Sequence, residues 1–312
     1  MADELTYDDI DAAATRIAGL VRPITVARAE PGGDVWLALE FLQHTGSFKA
    51  RGAANFVEAQ HASGAFPTAG VTIASGGNAG LACAWAAARR GAPATVFLPA
   101  TAPAVKVERL HGYGAQVRLE GTEYAQALAA SRAFAAETGA LESHAYDHPL
   151  IVAGAGTLLI EIRQALPDLD TIVVAAGGGG LFAGIATAAA RHGIRTVAVE
   201  PVHCRALNAA LETGYPVEVE VDSIAADSLG ARRATAMALT AARLGDAVSI
   251  LVTDEQIVAA RRGLWEERRI AVEYAAATAL AGLRSGAYRP AVGEKVCVVL
   301  CGANTDPADL SP

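Results

Sequence analysis

Short runs of β-branched residues alternate with longer alanine-rich segments along most of this 312-residue chain. Strands that are separated by helices form mostly parallel sheets, because each parallel pair needs a long crossover connection. The predicted strands span residues 35–40, 70–74, 94–98, 116–119, 171–175, 196–200 and 295–300. The predicted helices span residues 7–19, 48–61, 80–90, 103–111, 124–138, 156–166, 180–191, 253–267 and 273–282. The pattern therefore predicts an α/β protein with open, mostly parallel sheets flanked by helices.

The chain is long enough for one large domain or two smaller ones. Residues 61–147 contain an alternating series of their own, which predicts a small inserted α/β domain. Residues 1–60 and 148–312 would then form a larger domain from both ends of the chain. A cleft between two such domains is a preferred place for a small ligand.

Composition excludes several classes of partner. A net charge of -8, spread without blocks, argues against nucleic acid and against an anionic membrane surface. Residues 171–190 carry no charged side chain, but the four glycines inside this stretch disfavour a membrane-spanning helix. The chain begins with acidic residues, and its cysteines form no C-x-x-C pair, so a reducing cytoplasm is expected. The cysteines are Cys83, Cys204, Cys297 and Cys301.

Lys49 is the first candidate for chemistry. It lies in the segment GSFKARGA, residues 46–53, at the predicted start of a helix. The positive end of a helix dipole opposes the charge of a nearby amine, and a neutral lysine amine can form a Schiff base. Most lysines are solvated surface charges, so Lys49 becomes a strong candidate only together with the segments that follow.

Four consecutive glycines, Gly177–Gly180, separate a predicted strand from a predicted helix that continues through Leu181. Backbone N–H groups without neighbouring side chains at a helix start can bind a phosphate. The same region fits the pattern G-x-G-x-x-A, and Glu200 ends the next predicted strand, as in a nicotinamide-dinucleotide site. A pyridoxal-type enzyme and a dehydrogenase both remain possible from this loop, and only the lysine separates them.

Two further segments follow predicted strands. The residues SGGN, 75–78, combine a hydroxyl, an amide and glycines before a helix, which suits an anion but also suits an ordinary capped turn. Cys301 ends the last predicted strand and precedes Gly302, Ala303 and Asn304. A buried cysteine commonly acts only as a small apolar residue, which is the alternative for Cys301.

These four segments, in this order and at these separations, resemble the fold-type II family of pyridoxal-phosphate enzymes. The resemblance is greatest to the serine/threonine dehydratases, or ammonia-lyases, and it runs from about Arg22 to Asp306. It implies a two-domain, tryptophan synthase β-like fold with pyridoxal 5'-phosphate in the cleft. It also implies a homodimer and an amino-acid substrate.

The resemblance further implies roles for individual residues. Lys49 would be the covalent anchor and catalytic base, beside Phe48, and Gly177, Gly178, Gly179, Gly180 and Leu181 would hold the phosphate. Cys301 would face the ring nitrogen, which a neutral thiol leaves unprotonated. Substrate would be bound by Ser75, Gly76, Asn78 and Ala79, and Asn78 would also reach the phenolic oxygen of the cofactor. The reaction implied is removal of water from a β-hydroxy amino acid, giving a 2-oxo acid and ammonia.

Related chemistries stay open. A β-replacement enzyme similar to the cysteine synthases has a related lysine and asparagine loop, and serine racemases share the fold. Those racemases carry a serine where this chain has Gly76, so elimination is favoured over racemisation. A ligand-binding module with an idle lysine is a further alternative.

Some positions depart from the family pattern. Tyr274 follows Glu273 where proline is usual, so Glu273 could be simply an acid at a helix start. Ser228 stands where glycine is usual and would lie near the cofactor. Glu200 resembles a divalent-ion ligand of some relatives, but the acid expected six positions later is Ala206, so no divalent metal site is predicted, and a monovalent ion held by carbonyl groups stays open.

Overall fold

The computed structural model describes residues 5–64 and 66–310, and it contains two sheets flanked by helices. In this part of the chain the strands β1 to β10 span Val26–Arg28, Val35–Ala38, Val71–Ile73, Ala94–Leu98, Gln116–Leu119, Leu141–Glu142, Thr171–Ala175, Arg195–Pro201, Val248–Val252 and Val296–Val299. The helices α1 to α12 span Tyr7–Ile17, Lys49–Ala62, Asn78–Arg89, Ala104–Gly112, Tyr124–Thr138, Pro149–Ala165, Gly180–Ala190, Ala206–Thr213, Ala226–Leu229, Ala236–Leu244, Asp254–Arg268 and Tyr274–Arg284. The α/β fold class is confirmed.

The larger sheet has six strands in the order β1-β2-β10-β7-β8-β9. All neighbours in it are parallel except β1 and β2. One of its two central strands, β10, is the last strand along the chain and lies between β2 and β7. The turn before α2 follows β2 along the chain and therefore lies beside the end of β10, as an isolated bridge between Ser47 and Gly302 shows.

The smaller sheet has four parallel strands in the order β5-β4-β3-β6. Its strands lie between residues 71 and 142, and buried residues of α2 and α3 pack with them in one hydrophobic cluster. The precise domain limits, 61–147 within 1–60 and 148–312, stay a prediction.

All seven predicted strands and all nine predicted helices are present, with ends that differ mostly by one or two residues. The strands β1, β6 and β9 and the helices α8, α9 and α10 were not predicted. Three-residue β1 and two-residue β6 are too short to give a pattern, and they exist because a neighbouring strand supplies their hydrogen bonds.

Helix α6 begins at Pro149, seven residues before the predicted start at residue 156. Glycines inside the helix obscured its start, since glycine disfavours helix. Here they permit close helix packing: a Cβ on Gly154 would lie 2.6 Å from the carbonyl oxygen of Arg51 in α2. A Cβ on Gly156 would lie 2.8 Å from the carbonyl oxygen of Gly184 in α7. Close contact of α6 with both helices thus requires these two glycines.

The uncharged stretch 171–190 forms β7, the glycine turn and α7, all of which are largely buried in the core of the larger sheet. Across residues 5–64 and 66–310, none of the helices combines the length and apolar character that a membrane span requires.

Candidate active site

Lys49 is the first residue of α2, and the end of β10 determines its position. The backbone N–H of Phe48 donates to the carbonyl oxygen of Cys301 at 3.0 Å. Thr45, in the turn before the helix, has a left-handed backbone with φ 60° and ψ 10°. Such a conformation is rare for a β-branched residue and is commonest at functional sites. The turn therefore holds Lys49 directly beside Cys301.

The amine of Lys49 lies in a mostly apolar environment. Its Nζ donates a hydrogen bond to the carbonyl oxygen of Ala145 at 2.6 Å and lies 4.7 Å from the centre of the Phe48 ring. Burial lowers the pKa of Lys49 to about 8, against the smaller opposing effects of Cys301 and Glu273. An amine with such a pKa has a substantial neutral fraction near neutral pH and can act as nucleophile or base.

The glycine loop follows β7 and leads into α7. Gly179 has a φ of 95°, and a Cβ there would lie 2.4 Å from the Cβ of Ala238. A Cβ on Gly178 would lie 2.4 Å from the ring of Tyr146. Among the described residues, none of the backbone N–H groups of residues 177–181 donates a hydrogen bond. The loop is thus a row of unpaired amides at a helix N-terminus, where glycine alone fits at two positions.

Tyr146 connects the lysine to the glycine loop. Its ring centre lies 6.0 Å from the Lys49 amine, and the same ring contacts Gly178. The preceding residue, Ala145, accepts the Lys49 hydrogen bond. The segment 145–146 was not predicted to take part in the site, because its position depends on contacts with residues almost a hundred positions earlier.

The SGGN loop lies between β3 and α3, and Asn78 is the first residue of the helix. The loop is tightly folded, since a Cβ on Gly80 would lie 1.8 Å from the carbonyl oxygen of Ser75. Within the described chain the backbone N–H groups of residues 75–79 make no hydrogen bond. Ser75, Gly76 and Asn78 are half-buried, so a second group of amides remains available to an anion.

Cys301 follows β10 and is buried beside Lys49. Burial, reinforced by the charge of Glu273, raises the pKa of the Cys301 thiol far above its ordinary value. The thiol is therefore neutral and cannot act as a nucleophilic thiolate. Like Cys301, the other three cysteines are free and buried.

Glu273, whose role the sequence left ambiguous, also belongs to the site around Lys49 and Asn78. It does precede α12, as a helix-start acid would, but its side chain is only 8% exposed. Its carboxylate accepts hydrogen bonds from Asn78 Nδ2, and burial raises the pKa of Glu273 to about 7. Its apposition to Asn78, 195 residues away, could not be read from either segment alone.

Ser228 and Glu200, which the sequence also singled out, make different contacts. Ser228 is exposed in α9. Its neighbour Leu229 packs against the glycine loop, because a Cβ added to Gly177 would lie 2.9 Å from the Cα of Leu229. Glu200 is buried, and its carboxylate accepts the N–H groups of Leu207 and Asn208 at the start of α8. In the described ranges, no three His, Cys, Asp or Glu side chains are grouped as metal ligands.

Comparison with known proteins agrees with this geometry. The sequence profile of a family described as "Pyridoxal-phosphate dependent enzyme" matches residues 20–302. An L-threonine ammonia-lyase of Geobacter sulfurreducens is 38% identical over 283 residues, covering 90% of this chain and 69% of the relative. A phenylserine dehydratase of Ralstonia pickettii is 36% identical, covering 90% of this chain and 86% of the relative.

Among solved structures, maize serine racemase superposes with a TM-score of 0.89 at 30% identity, covering 99% of this chain and 96% of that one. The family match also decides between the two cofactors that the glycine loop allowed, in favour of pyridoxal phosphate. The chain belongs to the family of pyridoxal-phosphate-dependent enzymes.

Proposed function

We propose that this protein removes water from a β-hydroxy amino acid to give a 2-oxo acid and ammonia, as a pyridoxal-phosphate-dependent ammonia-lyase. The observation that carries the proposal is the half-buried Lys49 amine, placed between a neutral thiol and a loop of unpaired backbone amides. The threonine ammonia-lyase and phenylserine dehydratase among its relatives support the same reaction.

The residues present fit the cofactor. The Lys49 amine would bind its aldehyde carbon, and the amides of Gly177, Gly178, Gly179, Gly180 and Leu181 would hold its phosphate. A side chain on Gly178 would collide with Tyr146, so the loop keeps its backbone accessible to an anion. The Cys301 thiol would face the ring nitrogen, and the Phe48 ring would border the same space.

When bound, pyridoxal phosphate supplies a conjugated system that stabilises negative charge at the substrate α-carbon. The amino group of the substrate would replace Lys49 at the aldehyde carbon, and the freed Lys49 amine would then remove the α-proton, because its pKa of about 8 makes it a base that functions near neutral pH. The ammonium form of Lys49 that results stays close to the Ala145 carbonyl oxygen, which accepts its hydrogen bond.

The SGGN loop would orient the substrate. The free backbone amides of residues 75–79, including Ala79, and the side chains of Ser75 and Asn78 would bind the α-carboxylate. Gly76 offers no side chain that could return a proton to the opposite face of the α-carbon. Protonation from that side is the step that a racemase needs, so Gly76 favours elimination.

The experiment is a panel of serine, threonine, 3-hydroxyaspartate and phenylserine, incubated with the holoenzyme and assayed for ammonia and 2-oxo acid. Release of both products in equal amounts supports the lyase. Conversion of O-acetylserine with sulfide, without ammonia from any hydroxy amino acid, would indicate a β-replacement enzyme. Chiral analysis of the remaining serine would detect a racemase.

We also propose a cytoplasmic homodimer that binds neither nucleic acid nor membranes. Free, buried cysteines suit a reducing compartment, and the net charge of -8 disfavours anionic partners. Sedimentation velocity of the holoenzyme tests the assembly, since a monomer and a dimer differ twofold in mass.

A further inference from the structure

We propose that Glu273 is a positioning residue, which fixes the side-chain amide of Asn78 so that its nitrogen faces the carboxylate. The inference deepens the proposed function, in which Asn78 contacts the phenolic oxygen of the cofactor. It rests on a network of hydrogen-bonded side chains that connects Glu273, Asn78 and Asn304 to the turn before Lys49.

The side-chain amide of Asn78 is in direct contact with the Glu273 carboxylate. Asn78 Nδ2 lies 2.9 Å from Glu273 Oε1 and 3.1 Å from Oε2, so one hydrogen of the amide is shared between both carboxylate oxygens. An ionised carboxylate only accepts hydrogen bonds, so it selects the nitrogen of the amide and rejects the oxygen. Charge-assisted bonds of this kind are stronger than neutral ones.

Asn304 holds the oxygen of the Asn78 amide. Asn304 Nδ2 donates to the backbone carbonyl oxygen of Thr45 at 2.7 Å and to Asn78 Oδ1 at 2.6 Å. A backbone carbonyl can only accept, so the nitrogen of Asn304 must face Thr45. The oxygen of Asn78 must then face Asn304, and its nitrogen must face Glu273. The carbonyl oxygen of Thr45 therefore sets the orientation of both side-chain amides, Asn304 and Asn78.

Backbone hydrogen bonds hold both ends of this network. Thr45 adopts its left-handed conformation in a turn where Gly46 O accepts Ala303 N at 2.9 Å. Glu273 is held by its own N–H, which donates to Gly302 O at 3.1 Å. A Cβ on Gly302 would lie 2.1 Å from Glu273 Oε1, so the carboxylate lies directly against the backbone after β10. Both ends of the network are thus attached to residues 302–303, directly after β10.

The consequence concerns the second hydrogen of Asn78 Nδ2. With one hydrogen engaged by Glu273, the other remains for an oxygen on the cofactor. Without the carboxylate, only the hydrogen bond from Asn304 would hold the amide, so the amide could turn about its Cβ–Cγ bond and move this hydrogen away from the cofactor oxygen. The other charged or titratable groups that act on Glu273 are Lys49, Asp227 and Cys301. None of these three has a hydrogen bond to Asn78 in the described structure, so Glu273 is the charged group that holds the amide nitrogen, while Asn304 holds the amide oxygen.

The test is a double-mutant cycle read out by the dissociation constant of pyridoxal phosphate, titrated by its visible absorbance at pH 8. We expect Glu273→Ala to weaken cofactor binding about tenfold, the effect of one lost charge-assisted hydrogen bond. In the Asn78→Ala background the same substitution should change binding less than about twofold, because its target is gone. Glu273→Gln, which keeps an acceptor, should restore most of the affinity.

Two results would overturn the proposal: an equal loss in both backgrounds, or no loss in the wild-type background. If Glu273→Ala fails to fold, Asn304→Asp replaces it, since an aspartate there repels Thr45 O and attracts Asn78 Nδ2 instead. Asn304→Asp should weaken cofactor binding only while Asn78 is present, and an equal loss without Asn78 would again overturn the proposal.

Glu200→Gln is the matched control. It also removes a buried carboxylate, but one that binds the backbone of α8 and not Asn78. We expect its cofactor affinity to equal that of the wild type. Because the readout is cofactor binding, it is independent of which reaction the enzyme performs. Failure of the lyase assay with intact coupling would refute the proposed function alone.

Discussion

At the scale of single residues, Lys49 shows how an ordinary side chain acquires unusual chemistry. Its helix start was recognisable in the sequence, but the burial that lowers its pKa comes from Phe48, Tyr146 and Ala145. Ala145 and Tyr146 follow β6 of the smaller sheet and precede β7 of the larger sheet. Ala145 lies 96 residues after the lysine along the chain. The reactivity is therefore a tertiary property of a locally predictable residue.

Lys49→Ala should abolish both turnover and the visible absorbance of the bound cofactor, because no other amine replaces Lys49 at this position. Lys295→Ala is the control, since Lys295 is half-exposed and paired with Asp168 at 3.1 Å. The measurements are ammonia release and an absorbance spectrum after incubation with pyridoxal phosphate. Turnover retained by Lys49→Ala would remove the lysine from the mechanism.

The pKa of Lys49 predicts the pH dependence of cofactor loading. Below a pKa of about 8 the free amine is mostly protonated and cannot attack the aldehyde. The second-order rate of apoenzyme reconstitution should therefore rise about tenfold per pH unit up to about pH 8, and then level off. Stopped-flow absorbance from pH 6 to 10 measures this rate, and a rise that continues to pH 10 would indicate an unperturbed lysine.

At the scale of elements, the glycine loop combines two requirements, one of conformation and one of space. We expect Gly179→Ala to lower the free energy of unfolding by about 1–3 kcal/mol, because its φ of 95° strains any other residue. Gly178→Ala should mainly weaken cofactor binding, since its Cβ displaces the Tyr146 ring. Gly112→Ala is the control: a Cβ there meets nothing within 4 Å, and stability should change little.

Denaturant unfolding of the apoproteins and cofactor titration separate these two effects. If both loop variants behave like Gly112→Ala in both assays, the loop is an ordinary turn and not a binding element.

Helix α8 predicts a second pH effect, through the carboxylate of Glu200 at its start. Burial raises the pKa of Glu200 from an ordinary value near 4.5 to about 8. The folded state thus binds an extra proton, so the free energy of unfolding should fall as the pH rises from about 5 to 8. The slope reaches about 1.4 kcal/mol per pH unit for one proton.

Glu200→Gln should remove the contribution of this one proton to the slope of unfolding free energy against pH. Urea unfolding of the apoprotein at several pH values measures the slope. An identical slope in the variant would show that Glu200 titrates normally in the folded protein.

At the scale of the whole molecule, Arg51 joins the helix that carries Lys49 to the rest of the protein. Its guanidinium is fully buried, pairs with the buried Glu40 at 2.6 Å and also pairs with Glu161 in α6 at 2.6 Å. These contacts connect the segment after β2, which contains Glu40, with helix α2 and helix α6. The position of α2, and hence of the lysine, depends on this buried ion network.

Arg51→Met should lower the free energy of unfolding by about 3–5 kcal/mol, because it leaves the Glu40 carboxylate buried without a partner. Arg195→Met, which breaks an ion pair of a half-exposed arginine with Glu294, should cost less than about 1 kcal/mol. Guanidinium unfolding of both variants tests the difference. Equal losses of unfolding free energy would mean that the buried ion pairs of Arg51 matter no more for stability than the half-exposed pair of Arg195.

The sequence by itself determined the alternation of strands and helices, since buried parallel strands are continuous apolar runs such as TIVVA at 171–175. It also indicated Lys49, Asn78, Cys301 and the glycine loop, because nucleophiles and tight turns need particular residue types at particular element ends. Only the tertiary structure decided how β10 lies between β2 and β7, and so which of these segments meet. Glu273, Asn78 and Asn304 illustrate the reason: a hydrogen bond between residues 195 or 226 positions apart depends on packing that no local pattern records.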